Sequence, residues 1–182
     1  EGDPLWQPGP GAVNGALQLD GIDDCVRTPF VLDPAEANFT VFAWVDGGGP
    51  GQAILSQSNQ PGPGELWLGA DASTGALLTK LVGTSRVAAP LVSETAITDG
   101  AWHRVRLVWD GSYRRLYVDG REVAADSVQK VSSLKSSTAG FNIGAGKDLE
   151  PGSFWSGLID DVPVCMWGVI EESMIGNMGT PW

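Results

Sequence analysis

A chain of 182 residues with 42% hydrophobic content is long enough to bury one substantial core, and its formal net charge of −11 disfavours nucleic acid and anionic membrane surfaces as partners. No apolar run approaches the length of a membrane span, so no membrane insertion is expected. The acidic balance leaves carboxylates available for a cation.

The chain opens EGDPLWQPGPG, without the basic and apolar regions of a leader, and reads as a mature form, a trimmed form or a piece of something longer. Residues 1–14, rich in Pro and Gly, predict a lead-in arm. ALQLDG then alternates, with Leu17 and Leu19 on one face, and CVRTPF follows a polar corner at Asp23 and Asp24. FTVFAWV is a strand: Phe39, Val41, Ala43 and Val45 face one way, Thr40, Phe42 and Trp44 the other. Both faces are largely apolar, which places this strand well inside a sheet. AILSQ, ELWLGAD and ALLTKLV are further short strands, separated by the loop SNQPGPG and the turn STG, and RVAAPLVSETAITDG reads as a connection. WHRVRLVWDGSYRRLYVDGREVAAD is a meander, with Val105, Leu107 and Trp109 on one face and Leu116 and Val118 on the returning strand. Its turns fall at Asp110-Gly111 and Asp119-Gly120. FNIGAG and FWSGLIDDVPVCMW complete the series, and EESMIGNM can hold one short helical turn. Short strands at this spacing predict an all-β fold, a two-sheet antiparallel β-sandwich with under about a tenth helix.

GALQLDGIDDCV, FTVFAWV, ITDGAWHRVRLVWDGSYRRLYVDGREV, FNIGAG and FWSGLIDDVPV occur in an order that resembles the laminin G-like jelly rolls of the concanavalin A-like lectin/glucanase superfamily. The resemblance spans residues 15–170 and leaves 171–182 as a tail. It implies two curved sheets stacked face to face, with the first and last strands as neighbours. It also implies an extracellular or periplasmic, secreted module of bacterial type that binds glycans or extracellular proteins. The chain departs from the family pattern late: Pro163, Cys165, Met166 and Trp167 stand where the family reads Arg, Tyr, Asn and Arg.

His103 is the only histidine. One imidazole cannot complete a metal site, and no nucleophile elbow accompanies it, so it reads as a hydrogen-bonded group at a strand entry. The glycosidase relatives carry a Glu-x-Asp-x-x-Glu strand that supplies paired carboxylates; LWLGAD and LIDDVPV lack the second Glu, and no catalytic residue is assigned. If the first and last strands pair as the resemblance implies, Asp20, Asp23, Asp24, Asp160 and Asp161 approach one another. Asp20 and Asp160 are then the first choices for a calcium site; the alternative is that these aspartates shape turns and cap strand ends. Of the eight tryptophans, Trp44, Trp102 and Trp109 lie within apolar strands and read as core, whereas Trp67, Trp155 and Trp167 flank loops or strand ends and are the candidates for stacking on sugar. The implied topology also suggests a disulfide between Cys25 and Cys165, both at positions where relatives tend to have Tyr, with Val26 and Val164 facing the core. The alternative is two independent small apolar replacements. The expected function is non-catalytic glycan recognition, with calcium as the expected cofactor. The alternatives are a protein-interaction or structural module of a larger secreted protein and a degenerate glycoside hydrolase relative.

Overall fold

The computed structural model describes residues 2–9, 11–12, 14–60, 64–81, 89–127 and 134–166. These contain fourteen strands and no helix. In chain order they are β1 (Leu5–Pro8), β2 (Gly15–Asp20), β3 (Val26–Phe30), β4 (Phe39–Gly47), β5 (Ala53–Gln57), β6 (Leu66–Ala70) and β7 (Ala76–Thr79). There follow β8 (Leu91–Ala96), β9 (His103–Trp109), β10 (Tyr113–Val118), β11 (Arg121–Ser127), β12 (Gly140–Ile143), β13 (Ser156–Asp160) and β14 (Val164–Cys165). One sheet runs β1-β2-β13-β4-β9-β10-β11, with β14 alongside β4; the other runs β3-β12-β5-β6-β7-β8. All pairings are antiparallel. The expected two-sheet sandwich is therefore the observed fold, and the early strand β2 does lie beside the late strand β13.

The core forms where the inward halves of the alternating strands meet. Phe39, Val41, Ala43 and Val45 of β4, with Val105, Leu107 and Trp109 of β9 and Leu116 and Val118 of β10, face Leu68, Leu77 and Phe141 of the opposite sheet. Trp67 bridges the two sheets, its ring 4.6 Å from that of Phe39 and edge-on to Phe141 at 4.8 Å. The meander turns as its residues demand: Asp119 and Gly120 both have positive φ, +52° and +80°, the geometry of a tight hairpin. At the previous turn Asp110 Oδ1 accepts from the backbone N–H groups of Ser112 and Tyr113.

Three local differences from the sequence reading matter. The lead-in arm contributes β1, which pairs with β2 and forms the edge of the larger sheet. The connection before residue 97 contains a strand, β8, in which Leu91 and Ser93 are buried. An inward serine hides the alternation there. The final strand is interrupted: Asp161 takes a φ of +42°, Pro163 has no N–H to offer, and its carbonyl accepts from Phe42 N–H before pairing resumes as β14.

Candidate functional site

Two of the three aromatic residues favoured for sugar stacking lie in the core. Trp67 and Trp155 are both 0% exposed. Trp67 sits on the inward face of β6, against Phe39 and Phe141. Trp155 precedes β13 and lies beneath Gly48, where a Cβ would meet its ring at 2.3 Å. Their flanking glycines and loops suggested exposure; the sandwich instead closes over them. Trp167 lies outside the described residues. Trp109 is buried as expected, but Trp44 and Trp102 are only half-buried.

The acidic residues divide into two places. Asp20 ends β2 opposite Ser156, whereas Asp160 lies four residues further along β13, opposite Trp44. At about 3.4 Å per residue they are roughly 14 Å apart, too far to share one ion. The structure instead gathers Asp20 with Asp23 and Asp24, with one carboxylate oxygen from each lying within 4.8 Å of the others. Ligand atoms around one Ca²⁺ are separated by at most about 5 Å, so three oxygens of a coordination shell fit here. The chain shapes this corner itself. Asp20 Oδ1 accepts from Ile22 N–H at 2.8 Å and from Asp23 N–H, while Asp24 accepts from Asp3 N–H at 2.6 Å and Asp20 N–H at 3.1 Å. The Ile22 N–H foremost, helped by those of Asp23 and Asp24, holds the Asp20 carboxyl below its ordinary pKa against the opposing effect of desolvation. A cavity of about 520 Å³ opens beside the corner, lined by the three aspartates, Asp3, Leu5 and Gln18.

The cysteines stand on opposite sheets, and no disulfide joins them. Cys25 is buried with Ala145 and Phe154 just before β3, because the Asp20–Asp24 corner has already carried the chain across to the smaller sheet. Cys165 pairs with Thr40 of β4, not with the strand beside Cys25. The parity expectation also fails at one end: Val164 packs on the core, but Val26 is exposed.

His103 is a clasp. Its Nδ1 lies 2.8 Å from Asp119 Oδ2 and its Nε2 3.0 Å from Asp99 Oδ1, tying the loop before β9 to the β10–β11 turn. Burial disfavours its charged form, but the hydrogen bonds and charges of Asp119 and Asp99 outweigh this and raise its pKa. This is the structural role read from the sequence.

A surface that the sequence reading passed over lies on the outward face of the larger sheet. Strands β4, β9 and β10 are adjacent, and their register sets Trp44 opposite Arg104, Phe42 opposite Arg106, and Arg106 opposite Tyr117. The Arg106 guanidinium carbon stands 3.7 Å from the centre of the Tyr117 ring and 5.8 Å from that of Phe42. The Arg104 carbon lies 5.1 Å from the Phe42 ring centre and 5.9 Å from that of Trp44. Two guanidiniums thus converge on one aromatic strip, in contacts worth about 0.5–2 kcal/mol each. Neighbouring arginines are committed elsewhere: Arg114 to Asp126 and Arg115 to Asp110. Among the described residues no ion pair involves Arg104 or Arg106, and the buried Nε of Arg106 has no hydrogen-bond acceptor. Burial, and then the Arg106 charge, lower the pKa of Arg104, with Asp161 partly offsetting them. The sequence signal was present in HRVRLVW, where Arg104 and Arg106 alternate with inward Val105 and Leu107.

A laminin G-type family model of the concanavalin A-like lectin/glucanases superfamily matches residues 20–165. The chain belongs to this superfamily. Among solved structures, this superfamily member is similar to domain 4 of AbnA, an extracellular arabinanase of Geobacillus stearothermophilus solved with arabinotriose. That match has a TM-score of 0.62 and 16% identity, covering 93% of this chain and 78% of that one. It is also similar to the heptameric SAP-like pentraxin of Limulus polyphemus, at TM-score 0.56 and 20% identity over 91% and 76% of the two chains. Domains LG4-5 of the mouse laminin α1 chain match at TM-score 0.56 and 12% identity, over 76% of this chain and 39% of theirs. At these identities the likeness is one of fold. No curated protein sequence matches the chain.

Proposed function

We propose that this superfamily member is a non-catalytic glycan-recognition module that binds saccharide on the outward face of the larger sheet, around Trp44. The carrying observation is the half-buried Trp44 indole on the sheet face beside the Arg104 and Arg106 guanidiniums, which lie over Phe42 and Tyr117. A half-buried indole on a sheet face offers a flat surface to the C–H side of a sugar ring, and arginine supplies directional hydrogen bonds to its hydroxyls. Superfamily membership and the arabinotriose-bound neighbour support the class of ligand. The sequence has no Glu-x-Asp-x-x-Glu strand, which supports a binding role over hydrolysis. In this reading Asp20, Asp23 and Asp24 hold a Ca²⁺ that fixes the corner between the sheets. The module works outside the cell or in the periplasm, as part of a secreted protein.

A glycan array probed with calcium and with chelator tests the proposal. Retention of saccharides, weakened by replacing Trp44 with Ala, is the expected result. Failure to retain any glycan in either condition refutes it. A protein-interaction role is the second reading, favoured by β1: this edge strand exposes Leu5 and Trp6 at 59% and 62%. An exposed apolar edge can pair with another chain. Concentration-dependent self-association, or capture of a protein ligand in place of glycan, would favour it.

A further inference from the structure

Resting on the glycan reading of the same face, we infer that the ligand is a carboxylate-bearing saccharide, a uronic or other sugar acid, held by Arg104 and Arg106 beside Trp44. The argument begins with charge. The chain is strongly acidic, yet five of its eleven Lys and Arg residues fall within 104–121. Arg114 turns inward, Arg115 is tied to Asp110 and Arg121 stands at the start of the edge strand β11, which leaves Arg104 and Arg106 as the outward guanidiniums of β9. They sit two residues apart on one strand, so their side chains leave the sheet on the same side. Both lie over the Phe42 ring. Two like charges brought together over one ring repel each other, and an anion bound between them relieves that repulsion.

Among the described residues none of the nearby carboxylates forms an ion pair with Arg104 or Arg106. Glu122 accepts from the Tyr117 hydroxyl, and Asp119 accepts from the Arg104 N–H and from His103. Asp160 stands on the far side of Trp44, opposite that residue across the strand pair. Asp161 contributes charge to Arg104 but forms no ion pair with it among the described residues. The Arg106 Nε has no acceptor but is itself buried, so the terminal nitrogens of the guanidinium are the donors a ligand can meet. A guanidinium binds a carboxylate side-on through two parallel hydrogen bonds, which a neutral hydroxyl cannot match. The half-buried Trp44 beside Arg104 then accepts the sugar ring that carries the carboxylate. A sugar acid satisfies both features at once, whereas a neutral sugar meets only the aromatic one.

The test uses the full chain and a panel of oligosaccharides: oligogalacturonate, mannuronate and guluronate oligomers, glucuronate-containing and sialylated glycans. Each acid is paired with its methyl ester, and neutral arabino-oligosaccharides serve as a third arm. Affinities are read by calorimetry at low and moderate salt. One or more acids should bind about 10- to 100-fold tighter than the matching ester, the range of a lost charge-assisted hydrogen bond, and should weaken as salt rises. Arg104→Gln and Arg106→Gln should each remove most of that preference while leaving the unfolding midpoint near that of the parent. Arg106→Lys, which keeps the charge and loses the fork, should recover only part of it. Equal binding of acid and ester, or an acid preference that survives both Gln variants, overturns the inference while the glycan reading stands. Binding of free acetate or citrate as tightly as the acidic saccharide also overturns it, because the site would then recognise any carboxylate. Binding of no saccharide in any arm overturns both readings together.

Discussion

Replacing Arg114 with Met should cost about 2–4 kcal/mol of stability, and the structure shows where that figure comes from. Arg114 is 2% exposed and points into the sandwich from β10. Its guanidinium is bonded to both carboxylate oxygens of Asp126 on β11, and it donates to the carbonyls of Leu81 and Ala89, which flank the strands of the opposite sheet. It therefore clamps one sheet to the other. Removing one partner of a buried ion pair typically costs about 3–5 kcal/mol. Two features lower the figure here. Asp126 is 39% exposed, so its carboxylate recovers water, and Ala89 is exposed at the surface. The Leu81 carbonyl, next to a buried side chain, keeps most of the penalty of about 1–3 kcal/mol for an acceptor left without a donor. With a slope of about 2 kcal/mol per molar urea, the unfolding midpoint followed by tryptophan fluorescence should fall by about 1–2 M. Adding Asp126→Leu should return part of the loss, because the abandoned charge is then gone, and a double-mutant cycle isolates the pair. A midpoint within about 0.3 M of the parent for Arg114→Met would refute the clamp.

Other tests follow from the same geometry. Alkylation of the unfolded, unreduced protein should label both Cys25 and Cys165, since the two stand on opposite sheets; an intact mass lacking both labels would contradict this placement. Calcium should raise the melting temperature relative to EDTA by ligand linkage, an effect abolished by Asp20→Ala and retained by Asp160→Ala; superimposable melts would remove the ion from the corner. Gly48→Ala should destabilise by about 2–4 kcal/mol, because position 48 has φ +73° and its Cβ would strike Trp155; a neutral result in urea would mean that the indole is not fixed beneath it. His103 has a pKa raised above 6.5, so its contribution to stability should be full below that pH and lost as pH rises through the folded value. The advantage of the parent over His103→Asn should accordingly shrink between mildly acidic and alkaline pH, and a constant difference would show that the clasp does not depend on charge.

Legibility followed the contrast between the two faces of each strand. FTVFAWV, AILSQ and the meander were readable because apolar side chains recur every second residue and Asp-Gly pairs mark the turns. LVSETA was not, because its second inward position is Ser93, whose hydroxyl donates to Thr95 O. Residues 5–8 looked like part of an arm because Pro and Gly surround them, and pairing with β2 overrode that local signal. The disulfide failed because the chain crosses to the smaller sheet at Asp20–Asp24, before Cys25; the Asp20–Asp160 site failed on register. Adjacency of β2 and β13 was correct, but adjacency does not give register, and register decides which residues share a level. Sliding the eye four residues along β13 moves from Ser156, beside Asp20, to Asp160, beside Trp44.

The candidate binding face shows what a sequence of strongly acidic composition conceals. A net charge of −11 argues against anionic partners when it is read as a sum, but a ligand meets a patch, and a patch is set by which strands are neighbours. Arg104 and Arg106 lie far in sequence from Phe42 and Trp44; only the antiparallel pairing of β9 with β4 places the guanidiniums above those rings. The outward residues of a central strand are also the hardest to assign from pattern, because Phe42 and Trp44 look like core to any reading that scores hydrophobicity alone. Phe42 is buried beneath charged side chains on the sheet's outer face, and Trp44 beside it is only half-buried. Long arginine side chains cover apolar surface while keeping their charge available, so one arrangement both shields Phe42 from water and presents two cations next to an indole. Stability and recognition are coupled at this point. Substitutions that abolish binding by removing a guanidinium also uncover Phe42, which is why Gln, whose chain still covers part of the ring, is the informative replacement and Ala is not.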